Sequence, residues 1–113
     1  MALDYVDLIY RLPEALPREK DYNLKLQMRR AATSIALNID EGSTGQSDPE
    51  QSRFLGMALR SLIETVACRH LLRLPKYEVD ASLSEQVYSF SKKFAIKIQA
   101  MRRSLAGESN NEK

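Results

Sequence analysis

The sequence predicts an all-α protein, an antiparallel up-down four-helix bundle that associates with copies of itself. Three observations carry this. Glycine and proline break the chain at few places: around Pro13 and Pro17, across residues 42–49 (GSTGQSDP), and around Pro75. Between the breaks, apolar residues recur at helical spacing, with no strand-like alternation. The third segment carries more apolar surface than one bundle helix needs.

The first segment, residues 3–12, places Val6, Ile9 and Tyr10 on one side of a short helix. The second spans residues 21–41, with Asp21 as N-cap and Gly42 as the C-terminal stop. The third opens with Asp48 as N-cap and Pro49 at the first helical position, and continues to about Leu74. The fourth starts near Ser82, where Ser82 and Glu85 fit a capping box, and runs to about Ala106. Residues 1–106 then form one domain, and residues 107–113 a polar, frayed tail. The fourth segment has the cleanest pattern: Leu83, Val87, Phe90, Phe94, Ile98, Met101 and Leu105 recur at steps of three and four. Short connections between the long helices favour antiparallel neighbours.

A chain of 113 residues with 43% hydrophobic and 28% charged residues can bury a core without metals or disulfides. Its single cysteine, Cys68, excludes an internal disulfide framework and a multi-thiolate zinc site. Cys68 lies among apolar neighbours and reads as a small core residue. No apolar run approaches the roughly 20 residues that cross a bilayer. Asp4 and Asp7 stand where a signal peptide carries Lys or Arg. The expectation is a cytoplasmic protein with no membrane partner. A net charge of +2 permits a polyanionic partner without arguing for one.

The second helix has a core stripe of Leu24, Met28, Ala31, Ile35 and Ile39. Beside it runs a polar stripe of Gln27, Arg30, Ser34, Asn38 and Glu41, bordered on its far side by Leu26 and Leu37. Two readings stand: an exposed face with stray leucines, or a polar seam buried between helices or subunits. On the third helix, Phe54, Leu55, Ala58, Leu59, Leu62, Ile63, Val66, Ala67, Leu71 and Leu72 cover more than half the circumference. That surplus predicts coverage by another chain, hence a homo-oligomer. Arg60 and Glu64, at ion-pair spacing, either pair with each other or meet the seam across an interface.

Catalytic patterns are missing. His70 is the one histidine, and no P-loop, dinucleotide fingerprint, nucleophile elbow or zinc-protease motif occurs. Asp40 and Glu41 are adjacent, and adjacent helical carboxylates diverge by about 100°. The chain therefore reads as no enzyme, with no cofactor and no metal. Basic residues cluster instead. Lys92, Lys93, Lys97, Arg102 and Arg103 lie on the fourth helix, and Arg18, Lys20, Lys25, Arg29 and Arg30 at the opening of the second. They form either a solvated face or a contact surface for phosphates.

The segments LPREKDYNL, QMRRAATSIALNIDEGS and FLGMALRSLIET, within residues 16–72, carry a resemblance. The chain resembles the bacterial four-helix-bundle proteins named after the intervening sequences of 23S ribosomal RNA genes. The resemblance implies a ring-like homo-oligomer, commonly a pentamer. It also implies association with RNA or DNA, and kinship with accessory subunits of diversity-generating retroelement reverse transcriptases. It singles out Arg29, Arg30, Ser34, Asn38, Glu41, Gly42, Ser61 and Glu64. Asp40 departs from the family's small residue, Ala36 and Leu37 from its frequent proline, and the first helix is short.

The expected function is a non-enzymatic scaffold binding nucleic acid through Arg29, Lys92, Lys93, Lys97, Arg102 and Arg103. Arg30, Ser34, Asn38, Glu41, Arg60, Ser61 and Glu64 are assigned to an oligomer interface or polar seam. The alternative is a protein–protein adaptor, for a reverse transcriptase or another protein, with no direct nucleic-acid binding.

Overall fold

The computed structural model describes residues 1–15, 22–44, 47–74 and 79–111, and among these only helices and turns occur. Helix α1 spans Ala2–Arg11 and runs into a 3-10 turn at Leu12–Ala15. Helices α2, α3 and α4 span Tyr22–Gly42, Asp48–Leu71 and Ala81–Asn111. Each helix packs chiefly on two others, α1 on α2 and α4, and α3 on α2 and α4, which is the square order of an up-down bundle. The pairing runs antiparallel. Gly42 meets Phe54 while Ser34 meets Ser61, and Gly56 meets Arg102 while Arg69 meets Ser84.

The core follows the predicted stripes of α2 and α4, with Met28, Ala31, Ile35, Val87, Phe94 and Ile98 buried. In α1 the stripe differs from the expectation. Tyr5, Ile9 and Leu12, at steps of four and three, are buried, while Tyr10 is 41% exposed and Val6 half-buried. The buried stripe centres one step earlier, because Tyr5 has a polar partner inside. Its hydroxyl lies 2.8 Å from Thr65 Oγ1, and Thr65 donates its own proton to the Leu62 carbonyl at 2.6 Å. Tyr5 is therefore the donor, which satisfies a phenol that burial strips of water.

Several helix boundaries also differ. Ser47 rather than Asp48 is the N-cap of α3, which puts Asp48 and Glu50 in the first turn, where negative charge suits the helix dipole. The same helix ends at Leu71, short of Leu74, and Leu72 to Leu74 close in turn-type hydrogen bonds. Asp80, not Ser82, caps α4, its carboxylate accepting from the Leu83 N–H at 3.0 Å. Gly42 is the last helical residue of α2 instead of a residue beyond its end. A Cβ there would sit 3.1 Å from the Phe54 Cβ, so its glycine lets α2 and α3 converge. Helix α4 also continues through Gly107 to Asn111. The proposed Asp21 cap, with Arg18 and Lys20, lies outside the described residues.

Burial raises the Tyr5 pKa to about 12, the positive charge of Arg69 offsetting part of the effect. An acid whose folded pKa exceeds its unfolded value of about 10 contributes fully below that pH and loses its contribution as the pH climbs. Wild-type stability, measured against Tyr5→Phe by urea unfolding, should fall by about 2–3 kcal/mol between pH 10 and 12. Parallel curves for the two proteins would contradict the buried phenol.

Candidate nucleic-acid interface

The basic residues predicted to contact phosphates divide into two groups. Lys92, Lys93, Lys97 and Arg103 are exposed on α4, Lys93 at a groove shared with Met1, Leu8 and Phe90. Among the described residues, none of the four forms an ion pair. Lys92 alone has a neighbour of note, its ammonium 4.4 Å from the Tyr88 ring centroid. Ile96, 66% exposed, stands among them.

Arg29 and Arg102 belong to the other group. Arg29 donates to the Tyr10 carbonyl at 2.8 Å and lies over the Tyr10 ring, 5.0 Å from its centroid. It thus holds the C-terminal turn of α1, where the helix dipole favours a cation. Arg102 is half-buried, its guanidinium passing over α3 where Gly56 leaves room; a Cβ on Gly56 would lie 3.3 Å from the Arg102 Cζ. Both Nε atoms are buried without a hydrogen-bond partner among the described residues. These two arginines serve the packing of the bundle first.

The seam residues divide in the same way. Ser34, Asn38 and Ser61 come together at the α2–α3 contact. Asn38 Nδ2 donates to the Ser34 carbonyl at 2.9 Å and to Ser34 Oγ at 3.0 Å, and Ser61 Oγ donates to Ser34 Oγ at 2.9 Å. This polar seam is satisfied inside one protomer. Arg30, Glu41, Arg60 and Glu64 are exposed, and Arg60 and Glu64 do not form an ion pair. On α3, Ile63 is 61% exposed and Leu71 50%, with exposed Ala67 between them one turn from each. On α2, Leu37 is 63% exposed and borders a groove lined by Tyr10, Leu26 and Arg30 among others.

The buried polar residues of α3 were missed altogether, Arg69 above all. Arg69 is 2% exposed, yet its Nε donates to Ser84 Oγ at 3.0 Å and to the Ser84 carbonyl at 3.3 Å. Its Nη2 pairs with Glu85 at 3.0 Å, and its Cζ lies 4.5 Å from the Tyr88 ring centroid. The buried row of α3 runs Leu55, Ala58, Leu62, Thr65, Arg69, Leu72, an unbroken alternation of threes and fours. That register was present in the sequence, hidden because two of its members are polar. Cys68 is buried, and desolvation with the nearby Glu64 carboxylate pushes its thiol pKa up. Exposed His70 lies tilted against Tyr88, their ring centroids 5.9 Å apart. Among the described residues no three His, Cys, Asp or Glu side chains converge.

Fold and site together define an all-helical bundle protein whose most distinctive surfaces are exposed faces: a basic one on α4 and an apolar one on α3. No helix among the described residues is long and apolar enough to cross a membrane. The family model described as 23S rRNA-intervening sequence protein matches residues 1–104, and the chain belongs to that family. The match takes in α1 and most of α4 as well as the central segments that carry the sequence resemblance. A comparison with curated proteins finds no match.

Proposed function

We propose that the protein is a cytoplasmic, non-enzymatic scaffold that assembles from several copies and binds the phosphates of RNA or DNA through the outward face of α4. The observation that carries this is the set of four exposed cations, Lys92, Lys93, Lys97 and Arg103, on one helix face with no acidic partner among the described residues. Glu85, the acidic residue at the start of that helix, is engaged by Arg69. The family's name, which refers to ribosomal RNA, is compatible with such a partner.

Four phosphate contacts on a lone protomer give weak binding, in the range of about 1–100 µM typical of non-specific association at physiological salt. Repetition around an assembly raises this by roughly 100- to 10,000-fold where the sites engage one nucleic-acid molecule together. The apolar face of α3 supports assembly, because Ile63, Ala67 and Leu71 present a ridge that a lone protomer leaves in water. The groove bordered by Leu37 lies on a different helix. Ridge into groove is therefore a head-to-tail contact, the kind that closes into rings, five-membered in the resemblance.

The test is a gel shift at low salt with labelled single- and double-stranded RNA and DNA. Retarded bands that vanish as salt rises are expected. No shift with any of the four probes removes the proposal. A second reading, a protein–protein adaptor, is favoured by the same exposed ridge on α3. It predicts a protein partner that stays bound in a pull-down after nuclease treatment.

A further inference from the structure

The cations of α4 stand in two rows. At about 100° per residue, Lys92 and Arg103 lie within about 20° of one another and Lys93 and Lys97 within about 40°, the two rows about 110° apart. Exposed Ile96 and Ala100 fill the strip between them. With a helix radius of about 2.3 Å and a lysine reach of about 6 Å, the charged ends of the two rows open to about 14 Å. A single strand offers one line of phosphates to such a face. A duplex groove offers two, the major groove of B-DNA being about 12 Å wide and able to admit a helix, while A-form RNA presents a wide, shallow minor groove.

Single-strand binding also draws much of its affinity from bases stacked on exposed rings. Among the described residues no aromatic ring lies on this strip. Tyr88, at its edge, already carries the Arg69 guanidinium 4.5 Å and the Lys92 ammonium 4.4 Å from its ring centroid. A flexible strand must be straightened along a rigid row with no stacking to offset the lost freedom, whereas a duplex arrives already ordered.

We infer that the outward face of α4 is a duplex-groove reader of shape, resting on the function proposed above. The Lys92–Arg103 row meets one backbone, the Lys93–Lys97 row meets the other, and Ile96 lies against the groove between them. It contacts phosphates on both sides and reads no base sequence.

Fluorescence anisotropy with the full-length protein tests this, using blunt RNA and DNA duplexes of about 20 base pairs against an unstructured strand of equal length. At low salt at least one duplex should bind roughly ten-fold tighter than the strand. The double variants Lys92→Gln/Arg103→Gln and Lys93→Gln/Lys97→Gln should each weaken duplex binding by a similar factor, because each removes one wall of contacts. Equal or tighter binding of the strand, or a row that can be neutralised without loss, overturns the inference and leaves the proposed function standing. Absence of binding to every probe overturns both.

Discussion

Arg69→Ala will lower the stability of the folded chain by about 3 kcal/mol and its thermal midpoint by roughly 10 °C. Arg69 is among the largest fully buried side chains, and it joins α3 to the first two turns of α4 through Ser84, Glu85 and the Tyr88 ring. The ion pair itself contributes little of this, since the Glu85 side chain is 73% exposed and water screens it. The loss comes from the emptied volume, from Ser84 left without its donor, and from the vacated face of Tyr88. Arg69→Lys should recover only part, because an ammonium cannot reproduce the planar fork that meets Ser84 and Glu85 together. Denaturant unfolding that shows Arg69→Ala within about 1 kcal/mol of wild type would mean that this network holds nothing together.

Replacing Lys92, Lys93, Lys97 and Arg103 together by glutamine will reduce affinity for nucleic acid roughly 100-fold at low salt while leaving the helical circular dichroism unchanged. All four side chains are exposed, and the one contact the fold loses is that of Lys92 with the Tyr88 ring. For duplex DNA, four neutralised phosphates correspond to a slope of about −3.6 in log K against log salt per protomer, and the variant should approach zero slope. Arg29→Gln is the informative control. It releases the Tyr10 carbonyl and should destabilise the docking of α1, with little effect on binding. If Arg29→Gln abolishes binding while the α4 variant keeps it, the interface lies on α2.

The contrast between those variants marks how far the sequence could be read. The long helices were legible because α2 and α4 bury the residues that periodicity selects, Met28 and Ile35 on one, Val87, Phe94 and Ile98 on the other. Cap positions slipped by one or two residues at Ser47 and Asp80, since neighbouring polar residues make equally good caps on paper. The buried polar row was not legible. Thr65 and Arg69 occupy core register, but polar type conceals them until Tyr5 and Ser84 are seen to satisfy them.

The basic face was read only by charge. Charge alone does not distinguish Arg103, exposed to solvent, from half-buried Arg102, which lies across α3 over Gly56. Nor does it show that Arg29 is spent on the end of α1. Of the seam, Ser34 and Asn38 followed from helical spacing, while Ser61, which donates to Ser34, came only from the family resemblance. The charged residues beside it turned outward, where a solvated charge needs no partner.

Repetition of the α4 face depends on copies associating through α3, and light scattering decides that directly. At micromolar concentration the wild-type protein should have a mass several times 12.9 kDa, and Ile63→Lys with Leu71→Lys should return it to that single-chain value with its helices intact. A wild-type mass of 12.9 kDa under the same conditions would contradict the assembly and leave the basic face too weak to act as a scaffold.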